Sequence, residues 1–324
     1  GKSKLYVDYF KKVSSLIMTL GKRPMLWADV LLAYPEAIPD LPKEAVFVDW
    51  NYGWDPHRFG SLANIKKFEL WGAPSLRSAP DSHSLSTWKI HFDNYKDYIP
   101  FARKSAFAST VLTSWSTSGE YGYEWETHGD VLEILPMRRV YPLAGFRILA
   151  AANIEAVKNK SPLSPKKFVI RYTQERFGLS ARDGARLYDA LTTNEAFLPS
   201  GVDAKVLEKA AKAAVKARRT LHALKPLRNK TELAHIQLMA DFRELHTRLR
   251  KVEARIQSEK FALSHVPALQ KELTKLVQEN KKATSRYLKL NRAYLYPQQL
   301  EEETAYRTKK LHLLHQRLSR AGRD

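Results

Sequence analysis

Residues 22–53, KRPMLWADVLLAYPEAIPDLPKEAVFVDWNYG, carry one pattern twice. A short apolar run leaves a charged turn and closes on an acid beside a Trp. Pro24 to Val30 ends around Trp27 and Asp29, and Ala45 to Trp50 ends in Asp49 and Trp50. Short apolar runs bounded by turn residues read as buried strands, although pattern alone leaves a segment of buried helix open. Between them, Leu31 to Ile38 is broken by Pro35 and Pro39.

Working outward, Tyr6, Phe10, Val13, Leu16, Ile17 and Leu20 recur at helical spacing and stop at Gly21, so a helix precedes the first strand. Downstream, Ile65 to Trp71 predicts a third strand running into Gly72, Ala73 and Pro74, Thr87 to Ala102 a helix, and Phe107 to Trp115 a fourth strand. Ser116 to Tyr123 is a polar loop and Val140 to Val157 a closing helix. Alternating strands and helices with acids and aromatics at the strand ends predict an α/β arrangement with its site at the carboxyl ends of a parallel sheet.

The second half has another character. All 7 Trp lie between Trp27 and Trp125, and only Pro226, Pro267 and Pro297 follow residue 200. Ser164 and Pro165 open a helix to Phe177 and Gly178, and Ser180 to Leu198 gives another. Val202 to Leu224, Asn229 to Phe261, Val266 to Tyr296 and Gln298 to Leu318 follow as long helices. Leu245, Leu249, Val252 and Ile256 repeat at helical spacing, as do Leu269, Leu273 and Leu276, but heptad order is imperfect. Several packed helices are expected in place of one long coiled coil. The expected division is 1–160 for the α/β part and 161–324 for a basic helical domain.

Charge follows the same division. Residues 1–150 hold 18 Lys+Arg against 16 Asp+Glu, a difference of +2, and residues 151–324 hold 36 against 18, a difference of +18. Attraction to anions therefore belongs to the helical half. Its basic tracts, Lys205 to Arg219, Arg248 to Arg255 and Arg307 to Arg323, alternate with apolar positions as a solvated bundle face does, and stacking aromatics are sparse. This argues against a nucleic-acid partner and for a structural or partner-binding appendage.

Other classes fall away on composition. With 0 Cys, disulfides, Cys-ligated metals and thiol nucleophiles are excluded. His57, His83, His91 and His128 lack metal-ligand spacing and no glycine-rich phosphate loop follows a strand, so no metal and no cofactor are expected. No long uncharged apolar stretch predicts a transmembrane segment. What remains is the aromatic set Trp27, Trp50, Tyr52, Trp54, Trp71, Trp115, Tyr121, Tyr123 and Trp125 beside Asp29, Asp49, Glu120, Glu124 and Glu126. Flat apolar faces next to hydrogen-bonding groups suit a pyranose ring, and core packing accounts for part of the same set. Asp29 and Asp49 read as ligand contacts, although a carboxylate at a strand end is also a common cap of the following helix.

Four segments, GKRPMLWADVLL (21–32), VFVDWNYG (46–53), FELWGAPSL (68–76) and VLTSWSTSG (111–119), resemble the last four strands of the catalytic barrel of family 20 glycoside hydrolases, the β-N-acetylhexosaminidases, in a divergent bacterial branch. The resemblance covers roughly the first 155 residues. It implies a partial (β/α)8 TIM barrel, followed here by an all-α bundle, and a nonreducing N-acetylhexosamine-containing glycan as substrate. In that family the substrate's acetamido carbonyl attacks the anomeric carbon, while an Asp-Glu pair orients the acetamide and protonates the leaving oxygen. The resemblance makes Trp27 a wall of the pocket, Asp29 an acid at the sugar or behind it, Trp50 a wall of the acetamido pocket and Trp115 the platform under the ring. Asp49, Tyr52 and Trp71 are further substrate contacts by the same transfer.

The departures are specific. The Asp-Glu pair has no equivalent in this chain, because its strand would precede residue 1, so no catalytic residue is assigned. Trp71 and Gly72 stand where the family has Tyr-x-Asp, and Thr117 where it has Glu after the eighth-strand Trp. Four strands cannot close an eight-stranded barrel. The chain is expected to be the C-terminal part of a longer secreted hydrolase, periplasmic or extracellular by the family's substrates, with the other barrel half upstream or from another chain. Alone it would be inactive. The alternatives are a non-catalytic carbohydrate-binding protein and a structural helical module for an anionic partner.

Overall fold

The computed structural model describes residues 1–52, 67–77, 88–114, 141–193 and 202–321. They form two compact units: residues 1–77, 89–114 and 149–165 in the first, and Trp88, 141–148, 166–193 and 202–321 in the second.

The first unit opens with α1 (Lys2–Thr19). It ends at Gly21, whose φ of 68° lets the Gly21 and Lys22 amides turn back to the carbonyls of Met18 and Ile17. This paired closure favours glycine. β1 (Met25–Trp27) follows, then the short α2 (Asp29–Ala33) and a 3-10 turn over Pro35–Asp40. The first strand is shorter than Pro24 to Val30 because Asp29 opens a helix in its place. β2 (Val46–Trp50) and β3 (Glu69–Ala73) come next, and β4 (Ser75–Arg77) continues β3 beyond Pro74. Proline has no N–H for the ladder, which is why the run divides there. α3 (Trp88–Lys104) leads to β5 (Ser109–Thr110) and β6 (Thr113–Ser114).

Within the predicted strand Phe107 to Trp115, the described residues form two short strands instead of one. Val111 donates its amide to the Gly72 carbonyl and Thr113 to the Pro74 carbonyl, so the last strand follows the break at Pro74. α4 (Arg147–Lys158) belongs to this unit from Leu149 onward. Arg103 of α3 donates to its terminal carbonyls at Ala156 and Val157.

The main sheet is wholly parallel in the order β1-β2-β3-β5, which is chain order. β4 and β6 pair separately, also parallel. The register Trp27↔Val48↔Trp71 fixes the two faces. Because side chains alternate, Leu26, Phe47 and Leu70 share the face that packs on Val7 of α1 and Leu31 of α2 in one apolar core. Met25, Trp27, Val48, Glu69 and Trp71 share the opposite face, where Met25 is 47% and Trp27 43% exposed.

In the second unit a 3-10 turn over Leu143–Phe146 precedes α5 (Pro165–Phe177), α6 (Ala181–Thr192), α7 (Ala204–Ala223), α8 (Lys230–Ile256), α9 (Val266–Asn291) and α10 (Pro297–Ala321). Ser180 caps α6 and Asp203 caps α7. α8 packs between α7 and α9, and α10 packs on α9. Leu249 and Val252 meet Leu269, Leu273 and Leu276 of α9 and Leu311 of α10 in a continuous core. The helices stop short of the sequence boundaries, α6 at Thr192, α8 at Ile256 and α9 at Asn291. No helix among the described residues is long and apolar enough to cross a membrane.

Several acids of this unit are buried. Buried Asp241 receives Arg218 at 2.6 Å, His222 at 2.8 Å and Arg286. Burial pushes Asp241 up, but the His222 hydrogen bond and the Arg286 and Arg218 charges hold its carboxyl below the ordinary range. Buried Glu253 pairs with Arg250 and, at 2.6 Å, with Lys310. Glu232 holds Arg176 at 2.8 Å and Tyr172 at 2.5 Å.

Candidate functional site

In a parallel sheet the carboxyl ends of the strands are where backbone and loops leave room for a ligand. β2 brings Asp49, Trp50, Asn51 and Tyr52 to that end, and β4 and β6 bring Ser75 and Thr113. α3 supplies a polar stripe at helical spacing, His91, Asn94, Tyr95 and Tyr98. The stripe and the strand ends interlock. Asn94 donates to the Asn51 carbonyl at 2.6 Å and accepts from the Ser75 amide at 3.3 Å. Tyr95 donates to the Ser75 carbonyl at 2.7 Å, and the Ser75 hydroxyl lies 3.1 Å from His91 Nδ1. These bonds tie α3 to the strand ends, and each satisfies a buried group that would otherwise lose its water partner.

Asp49 belongs to this helix-facing layer. It alternates with Val48 and Trp50, so its carboxyl lies on the Phe47 side of the sheet, 2% exposed. The Tyr98 hydroxyl sits 2.7 Å from Asp49 Oδ2 and 2.8 Å from its carbonyl oxygen. Burial pushes the carboxyl up to about 6, against the opposing hydrogen bond from Tyr98. Gly72, paired with Asp49, makes the contact possible: a Cβ there would lie 3.1 Å from the Tyr98 hydroxyl. Asp49 is therefore enclosed between strand and helix and is separated from the aromatic face.

The aromatic residues divide differently. Trp27 and Trp71 flank Val48 on the face opposite α1 and α2, and Trp50 stands one alternation further along that face. At a strand spacing near 4.8 Å, the two outer Trp backbones are about 10 Å apart. The Trp50 and Tyr52 rings approach to 5.4 Å, and the Tyr52 hydroxyl lies 3.1 Å from Thr113 Oγ1. Trp71 is oriented by its own strand. Its indole donates to Glu69 Oε1 at 2.7 Å, and Arg23 grips Glu69 Oε2 at 2.9 Å. Those two hydrogen bonds, from Trp71 and then Arg23, hold the Glu69 carboxyl below the usual range.

Asp29 stands exposed in the first turn of α2, where a carboxylate complements the helix dipole. It lies close enough to Tyr6 to add to the upward push that burial already gives that hydroxyl. Trp115 lies outside the described residues, as do Trp54, Asp81, His83, Thr117, Glu120 and Trp125.

The structure thus brings together Trp27, Trp50, Tyr52 and Trp71, and leaves Asp29 and Asp49 in other surroundings. The sequence reading missed Tyr98, Asn94, Ser75 and the Arg23–Glu69 support. The His91, Asn94, Tyr95, Tyr98 spacing was the available signal for the first group. No group of His, Asp or Glu suited to a metal occurs among the described residues. No protein-family model matches the chain, and no curated protein matches it.

Proposed function

We propose that this chain is part of a β-N-acetylhexosaminidase-like glycoside hydrolase and supplies aromatic walls of its sugar site, the catalytic Asp-Glu pair coming from strands outside this chain. The carrying observation is the face built by Trp27, Trp50 and Trp71 around Val48, leading to Tyr52 at the strand ends. An indole offers its face to the C–H side of a pyranose ring. Holding the Trp71 indole through Glu69 and Arg23 reduces the ordering cost of such stacking.

Topology supports the same reading. A doubly wound sheet reverses its strand order at a switch point, whereas β1-β2-β3-β5 runs in chain order with its helical core on one face. That order is compatible with an arc of a (β/α)8 barrel, whose inner side chains would come from the strands' other face. In such a barrel the acetamido carbonyl of a bound N-acetylhexosaminide attacks the anomeric carbon while a general acid protonates the departing oxygen.

One observation favours a second reading, sugar recognition without cleavage. Among the described strand residues of the aromatic face, Glu69 is the one carboxylate, and it is engaged by Trp71 and Arg23. Incubation with an aryl N-acetyl-β-glucosaminide separates the two. The hydrolase reading expects no turnover by this chain alone and turnover once a polypeptide carrying the other strands is co-expressed. Saturable sugar binding with no turnover in that complex selects the second reading.

A further inference from the structure

α7 carries five exposed cations in a single row, Lys205, Lys209, Lys212, Lys216 and Arg219. Their spacing of 4, 3, 4 and 3 residues keeps them on one side of the helix. At 1.5 Å rise per residue the row is about 21 Å long. The opposite side of α7 is Leu207, Ala210, Ala211, Ala214, Ala217 and Leu221, all buried as α7 packs on α8. Two acids lie close. Asp203 is occupied in capping the helix, and Glu208 is shared by Lys212 at 3.5 Å and Lys251 at 2.5 Å. Asp241, Glu244 and Glu253 of the neighbouring α8 are drawn inward into ion pairs. Along α7 the basic excess of the helical half is exposed and linear.

We propose that the α7 row binds a linear anionic glycan along its length. Four of the five cations are Lys, which meets dispersed carboxylates as a point charge without the planar fork that Arg gives to phosphate. α7 contains no Phe, Tyr or Trp on which bases would stack. Its apolar side is consumed in packing, and Val206, the one large hydrophobic of α7 left exposed, is too little to anchor the helix in the acyl boundary of a membrane. An extended polysaccharide with an acidic group on each ring repeats at a pitch comparable to the row. The attraction comes from charge and counterion release, and it needs no sugar in the aromatic site.

The test uses the full chain with polygalacturonate at low salt. Binding is expected, weakening steeply as salt rises. The variant Lys205→Gln/Lys209→Gln/Lys216→Gln/Arg219→Gln should lose at least about tenfold in affinity. Lys271→Gln/Lys275→Gln/Lys282→Gln/Lys289→Gln, which removes the same charge from the exposed side of α9, should lose less than about threefold. Circular dichroism checks that both variants keep their helices. Equal losses in the two variants, or no binding by the parent chain, overturns the proposal. Tighter binding of duplex DNA or of phosphatidylglycerol vesicles than of polygalacturonate overturns the assignment to a glycan. N-acetylglucosamine binding should be unchanged by the α7 variant, so failure of the row and failure of the aromatic site read out separately.

Discussion

The two units bury polar groups by opposite means. Around the strand ends of the first, Asn94 and Tyr95 bond the backbone of Asn51 and Ser75 as neutral groups, and Tyr98 bonds the one carboxyl, Asp49. In the second, buried Asp241, Glu232 and Glu253 each contact Arg, Lys or His side chains. Removing one bond of a buried neutral network costs about 1 to 3 kcal/mol, whereas a buried ion pair that loses one partner leaves an uncompensated charge and costs about 3 to 5 kcal/mol. The units should therefore differ in mutational cost and in their response to pH.

The largest effect is expected at Asp241. Asp241→Ala leaves Arg218, His222 and Arg286 facing a cavity without their anion and should cost about 3 to 5 kcal/mol in urea melts of the helical unit. Because the folded state holds this carboxyl below its unfolded pKa, its stabilisation is present above the unfolded value and is lost as pH falls through the folded one. A melt at pH 3 that equals one at pH 7 for the parent chain would break this half of the comparison.

Asp49 runs the other way. Its folded pKa of about 6 lies above the ordinary 3.8, so its favourable contribution is complete below the unfolded value and is lost as pH rises through 6. Asp49→Asn keeps an acceptor for Tyr98 and removes the buried charge. It should stabilise the sheet unit at pH 8 by up to about 3 kcal/mol and give no advantage at pH 3. Hydrogen exchange resolved by residue would measure it. Tyr98→Phe, which deletes only the hydroxyl, should cost about 1 kcal/mol. Smallest of all, Ala106 sits at φ 57° after α3, and Ala106→Gly should add up to about 1 kcal/mol in the same melts.

These residues also show what was legible beforehand. The strand Ala45 to Trp50 and the stop at Gly21 follow from local apolar runs and from glycine's freedom at positive φ, so they could be read directly. The long helices were equally plain, since their periodicity is repeated over many turns. Pro74 could be seen, but not that a partner strand would follow its break through Thr113. For the site, the Trp residues were visible as types and places. The face each occupies depends on register, and a single step separates Trp50 from Asp49. Glu69 and Arg23 meet across 46 residues, a pairing no local pattern encodes.

The account rests on the aromatic face as a sugar site. Titration of the 15N-labelled chain with N-acetylglucosamine, following the indole N–H signals, tests it most directly. Sugar stacking on this face predicts saturable shifts for Trp27, Trp50 and Trp71, with Trp88, buried in the helical unit, unmoved as an internal control. Signals that stay fixed for all three, or that drift without saturation alongside Trp88, would contradict it.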